Sequence, residues 1–255
     1  MVIGHRHKYL FVEVPATAST AISKELREQY GGELVLYKHA NYSEFRTAAK
    51  ASERDYFVFA GVRNPLEVTV GHYLRLKNDR AGVYSDPTQY ESNGGWIPQT
   101  HVEKFDFIRD NAADFPTFFR RFYRGVFNEW VLLGSRDFDF VIRYENLQAD
   151  FATALNRIGI PQVRELPVVN RGTERRHYSE YYPPDLQPLA ARVFGPFMEK
   201  WGYELPSSWL VKHAPLGSRL RFTALDLPAN LLARFVALSP HSQALQKLHG
   251  LLRGA

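Results

Sequence analysis

The chain contains no cysteine, which excludes disulfide bridges, a thiol nucleophile and any cysteine-ligated zinc site, and suits a reducing compartment. It also lacks any run near the ~20 apolar residues of a membrane span. The charged stretch His5-Arg6-His7-Lys8 gives way to an apolar run that stops at Pro15, too short for a secretory leader, so a cytoplasmic location is expected. No repeat or low-complexity tract is visible. A strong excess of one charge is missing too: 32 Lys and Arg stand against 27 Asp and Glu, spread throughout, with a formal net charge of +5. That pattern speaks against a dedicated nucleic-acid stripe and favours a small phosphorylated ligand. What is present is a core, since 45% of residues are hydrophobic and 14% aromatic, enough for one folded α/β domain and against disorder as the main state.

Tyr9 to Val14 reads as a nearly continuous apolar strand, as in a parallel sheet covered on both faces. After Pro15, Ser19 or Thr20 is placed to cap a helix over Ala21–Tyr30 that closes at Gly31-Gly32. Glu33–Tyr37 reads as a second strand, Ser43–Ala51 as a polar helix, Tyr56–Val62 as a third strand and Glu67–Leu76 as a helix. This βαβαβα alternation predicts a P-loop-type parallel sheet flanked by helices. Lys77–Thr100 reads as a long loop; helices are expected over Val102–Arg109, Phe115–Tyr123, Gln148–Ile158 and Pro184–Lys200, and a further strand over Phe138–Arg143. The α/β domain is expected to span residues 1–205. Residues 206–255 are expected to form a helical C-terminal extension, with Pro228 and Pro240 marking two helix starts. Packing on the domain, homodimerisation and peripheral membrane contact are its open roles.

Two elements carry chemistry. A loop between a buried strand and a helix N-terminus exposes backbone N–H groups with no intrahelical partner, and the helix dipole adds partial positive charge. Here that loop is Pro15-Ala16-Thr17-Ala18-Ser19-Thr20, followed by Ala21, whose small side chains let a phosphate approach. It lacks the Walker A spacing. The third strand delivers Arg63 to the carboxyl edge of the sheet, where its fork suits a second phosphate.

These segments resemble the sulfotransferases that use 3′-phosphoadenosine 5′-phosphosulfate (PAPS), particularly the Golgi-type carbohydrate enzymes and their bacterial relatives. Val14 to Ile22 is similar to the family's 5′-phosphosulfate loop, and Val62-Arg63-Asn64-Pro65-Leu66 through Tyr73 to its 3′-phosphate motif. Arg143-Tyr144-Glu145-Asn146-Leu147 with Asp150-Phe151, and then Asn170, Tyr178–Tyr182 and Trp201-Gly202-Tyr203, resemble its later segments. The resemblance implies PAPS as donor and a carbohydrate or small-metabolite hydroxyl as acceptor, and such a transfer requires no metal because positioned donors and a base suffice.

The chain departs from the pattern at two places. The family's loop lysine is Ala16, and its 3′-phosphate serine falls on Gly71. Lys38 and the basic cluster Arg171, Arg175 and Arg176 are the candidate replacement cations. His39, after the second strand, is the first candidate base because imidazole titrates near neutrality; Glu13 is the alternative. His72 and His101 are read as structural or surface residues. Tyr84, Tyr90 and Trp96 make Lys77–Thr100 a candidate acceptor lid. A non-catalytic protein that binds nucleotide or glycan stands as the second reading, because of Ala16 and Gly71.

Overall fold

The computed structural model describes residues 1–132, 138–167 and 176–235, with the side chains of 130 and 226–235 left aside. The fold is α/β: a mixed five-stranded sheet with a parallel centre, flanked by helices on both faces. Its strands are β1 (Val2–Gly4), β2 (Tyr9–Val12), β3 (Glu33–Leu34), β4 (Phe57–Val62) and β5 (Phe140–Arg143), in the spatial order β3-β1-β2-β4-β5.

The expected all-parallel sheet is corrected at one edge. β2, β4 and β5 run parallel, but β1 pairs antiparallel with both β2 and β3. The charged His5–Lys8 stretch is a tight turn, with Lys8 at φ 53°, that folds Val2–Gly4 back along β2. Three residues are too few for a periodic signal, yet they occupy the edge of β2 that a parallel neighbour would have used. The predicted second strand shortens to Glu33–Leu34 for the same reason: it has only β1 to pair with.

Helices follow the predicted order: α1 (Ser19–Gln29), α2 (Tyr42–Ala48), α3 (Pro65–Asn78), α4 (Gln99–Asp110), α5 (Phe115–Phe122), α6 (Leu147–Arg157), α7 (Gln187–Lys200) and α8 (Leu216–Phe235). Alternate strand residues feed two cores, which is why the strands read as unbroken apolar runs. Tyr9, Phe11 and Phe59 pack under α1 and α6 with Ile22, Leu26, Phe151 and Leu155. Leu10, Val12, Val58 and Ala60 pack on the other side with Phe45 of α2, Phe197 of α7 and Phe222 of α8. A third, aromatic cluster joins α3, α4, α5 and α7 through Tyr73, Phe105, Phe115, Phe118, Phe119 and Phe194.

The ends of the expected Lys77–Thr100 loop belong to α3 and α4, and residues 79–98 between them are a series of short turns closed by a bridge between Tyr90 and Ile97. Tyr84 is 5% exposed and stacks on Phe105, so it belongs to the core, whereas Trp96 is 62% exposed. The helix expected to start at Pro228 instead starts at Leu216 and runs through Pro228. The proline that opens it is Pro215, whose carbonyl accepts from Ser218 and Arg219. The second predicted start, Pro240, lies outside the described residues.

Candidate functional site

The loop after β2 makes a concave run of backbone donors. Ala16 and Ala18 both take left-handed backbone conformations, φ 62° and 60°, at a steric cost of roughly 1–2 kcal/mol each for a residue with a Cβ. Thr17 between them is buried, and its hydroxyl donates to the Val14 carbonyl at 2.9 Å. Left-handed residues that alternate with others in a short loop are the backbone pattern of an anion-binding nest. Among the described residues, the N–H groups of Ala16, Thr17, Ala18, Ser19 and Thr20 have no acceptor; the first helical bonds run from Ala21 and Ile22 to the Ala18 carbonyl at 3.0 and 3.2 Å. The expected hydroxyl cap from Ser19 or Thr20 is therefore not formed: Ala18 holds the capping position, and its methyl group accepts no hydrogen bond. Gly61 of β4 backs the loop, since a Cβ there would lie 2.6 Å from the Thr17 hydroxyl.

The turn after β3 brings two further candidates to this cradle. Lys38 donates from Nζ to the Thr20 hydroxyl at 3.0 Å, so an ammonium stands at the helix terminus although the loop itself carries alanine at 16. His39, at φ 63°, has Nδ1 2.8 Å from the Glu13 carbonyl. A carbonyl only accepts, so the ring proton sits on Nδ1 and Nε2 keeps its lone pair. Burial holds the His39 pKa below the ordinary histidine value; the hydrogen bond to Glu13 opposes it and the charge of Lys38 adds to it. The ring is thus neutral at neutral pH. Glu13 itself is 3% exposed, and its carboxylate accepts from the Met1 amine at 2.8 Å. Its carbonyl, rather than its carboxylate, is what meets the histidine.

Arg63 leaves β4 beside the loop. Its Nη1 lies 3.4 Å from the Ala16 carbonyl, its face covers the Tyr144 ring at 3.7 Å, and Nη2 and Nε meet the Glu67 carboxylate at 2.6 and 3.3 Å. The next residue, Asn64, caps α3 by accepting from the Leu66 N–H and donates from Nδ2 to the Tyr178 hydroxyl at 3.1 Å. Glu145 joins the later segments to it, accepting from the Asn64 N–H at 2.9 Å and from the Tyr203 hydroxyl at 2.7 Å. Gly71 lies inside α3, where the backbone N–H serves the helix ladder, so it brings neither a side chain nor a free donor.

The sequence candidates therefore separate. Lys38 meets the loop at Thr20 and Arg63 meets it at the Ala16 carbonyl, whereas His39 is held by the carbonyl of Glu13, two residues before Pro15. Arg171 and Arg175, like Asn170, lie outside the described residues, and Arg176 is exposed. Sequence reading missed Glu67 as the partner of Arg63, because Arg63 precedes the helix that carries Glu67 and helical spacing does not reach it. It also missed Tyr144 as a stacking surface, for which no local pattern exists. Away from the site, His72 and His101 face each other across α3 and α4 with ring centroids 4.7 Å apart.

Compared with models of protein families, with curated proteins and with solved structures, the chain matches none. Among the described residues no helix is long and apolar enough to cross a membrane, and no group of three or more His, Cys, Asp or Glu is arranged to hold a metal ion.

Proposed function

We propose that the protein is a PAPS-dependent sulfotransferase with a P-loop-type nucleotide site, moving a sulfuryl group to a hydroxyl of a carbohydrate or small metabolite. The observation that carries this reading is the run of unpaired N–H groups over residues 16–20, with Lys38 and Arg63 on either side of it. Such a run is an anion site, and the two cations suit a ligand with more than one phosphate.

In this reading the N–H groups of residues 16–20 hold the 5′-phosphate, and Arg63 holds the 3′-phosphate once it exchanges part of its contact with Glu67. Lys38 takes the role of the missing loop lysine and offsets charge on the leaving phosphate oxygen. His39 accepts the acceptor's hydroxyl proton at Nε2 as the new oxygen–sulfur bond forms and the bond from sulfur to the phosphate oxygen breaks. Glu13 acts only through its carbonyl, fixing the tautomer. The products are the sulfate ester and adenosine 3′,5′-bisphosphate, with the proton on the imidazole.

A second reading, a nucleotide-binding protein without turnover, is favoured by Ala16 and by the closed Arg63–Glu67 pair. Calorimetric titration with adenosine 3′,5′-bisphosphate tests both. Micromolar binding that is lost in Arg63→Ala supports the nucleotide site, and transfer of labelled sulfate to a panel of hydroxyl acceptors then separates enzyme from binder. A folded protein that shows no binding rules out both.

A further inference from the structure

The formal charge of the chain is concentrated at one end. Residues 206–255 carry Lys212, Arg219, Arg221, Arg234, Lys247 and Arg253 against the single side-chain carboxylate of Asp226, an excess equal to the net +5 of the whole protein. The remainder of the chain is balanced. Three of these cations, Lys212, Arg219 and Arg221, lie on or just before α8, whose described residues are docked on one face and open on another. Ser218 and Phe222 are buried on the packed side of α8, Phe222 in the core beneath the sheet. The start of the helix is pinned by Glu199, which accepts from the Ala214 N–H at 3.1 Å and from both Nε and Nη2 of Arg219 at 2.8 and 2.7 Å.

On the side away from that core, Leu216 and Leu220 are 70% and 63% exposed, one turn apart, and Leu210 just before the helix is 88% exposed. Leu227 and Leu231 continue the same spacing in the sequence. Arg221, exposed and without a carboxylate partner among the described residues, borders the stripe on one side; Lys212, exposed, precedes the helix. Leucines projecting singly need no explanation, but exposed leucines one turn apart on a helix that also carries the exposed Arg221, with Lys212 just before it, match a surface that is apolar beneath and anionic above.

We infer that α8 is a peripheral membrane-binding helix that lies in the plane of an anionic bilayer, its leucine stripe among the acyl chains and its cations at the headgroups. The core face of α8 stays on the protein, so α8 holds the sheet domain at the membrane surface without itself crossing the bilayer. This inference stands apart from the proposed catalytic reading.

Flotation of the full chain with phosphatidylcholine vesicles, and with vesicles that also contain phosphatidylglycerol, tests it. Binding to the anionic vesicles alone, weakened by salt, is expected. Leu216→Ser with Leu220→Ser changes exposed positions only and is expected to lower the partition coefficient by roughly tenfold or more per leucine; Arg221→Gln is expected to lower it by roughly fivefold. No flotation with anionic vesicles, or flotation that the leucine variants leave unchanged, overturns the inference. Sedimentation velocity without lipid supplies the remaining arm: a dimer dispersed by the same leucine variants would assign the stripe to a second copy of the chain and overturn the membrane assignment.

Discussion

The guanidinium of Arg63 meets the Glu67 carboxylate through Nη2 at 2.6 Å and Nε at 3.3 Å while its plane rests on the Tyr144 ring at 3.7 Å. The pair aligns the arginine beside the loop and also competes with any phosphate for the same donors. Glu67→Gln removes the competing charge but keeps a hydrogen-bond acceptor. It is expected to tighten binding of adenosine 3′,5′-bisphosphate by up to about fivefold, the worth of a partly exposed ion pair, and calorimetry reads the change directly. Weaker binding would mean that alignment by Glu67 outweighs competition.

Lys38 reaches the α1 terminus from a different loop, so its ammonium should be separable from the cradle itself. Lys38→Met is expected to cost transfer roughly 10²–10³-fold, the usual loss for a donor aimed at developing charge, and to weaken nucleotide binding far less. Adding Ala16→Lys to that variant is expected to restore part of the rate. Initial rates of sulfate transfer provide the measurement, and a Lys38→Met enzyme of undiminished rate would remove Lys38 from the mechanism.

His39 is proposed to work as a neutral base. Because burial lowers its pKa, the rate should rise with pH through a midpoint below the ordinary histidine value of ~6.5 and stay flat above it. His39→Asn is expected to lose roughly 10²–10⁴ in kcat and this acid limb, with nucleotide affinity kept. A pH–rate profile on both proteins distinguishes this from a structural role, which would leave the limb in place.

The pair His72–His101 bears on stability. Burial first, then the charges of Lys104, His101 and Arg75, pushes His72 down to about 2; burial, Lys104 and Arg75 push His101 down to about 4. Both are neutral when folded, and the unfolded chain binds protons to them as pH falls below ~6.5. Stability supplied by the neutral pair is therefore lost as pH falls, from ~6.5 toward 4 for His101 and toward 2 for His72, by up to about 1.4 kcal/mol per pH unit for each. The buried Nε2 of His72 has no hydrogen-bond partner among the described residues, so His72→Leu removes an unsatisfied group as well. Urea midpoints measured between pH 7 and pH 4.5 should show the variant gaining on the parent as pH drops; a constant difference would contradict the linkage.

Gly61 provides a steric test of the loop. A methyl group there would lie 2.6 Å from the Thr17 hydroxyl and 3.1 Å from the Thr17 backbone carbonyl, and the backbone atom cannot rotate away. Gly61→Ala is expected to destabilise by roughly 1–3 kcal/mol and to weaken nucleotide binding more than a substitution elsewhere on β4. Thermal unfolding and titration on the same sample give both quantities.

Local pattern alone made the centre of this protein legible. Apolar runs at Tyr9–Val12 and Phe57–Val62, the loop over residues 15–20 and the arginine after β4 are each encoded within a few consecutive residues, because strand burial, helix starts and positive-φ loops depend on near neighbours. The tertiary structure decided the rest. It turned Val2–Gly4 into the strand that makes the sheet mixed, since edge pairing rewards a three-residue segment that has no period of its own. It set Lys38 on Thr20, the His39 ring on the Glu13 carbonyl, and Tyr144 under Arg63. Each of these joins groups brought together by chain crossovers, and no spacing in a sequence records which loops a sheet will bring to the same edge.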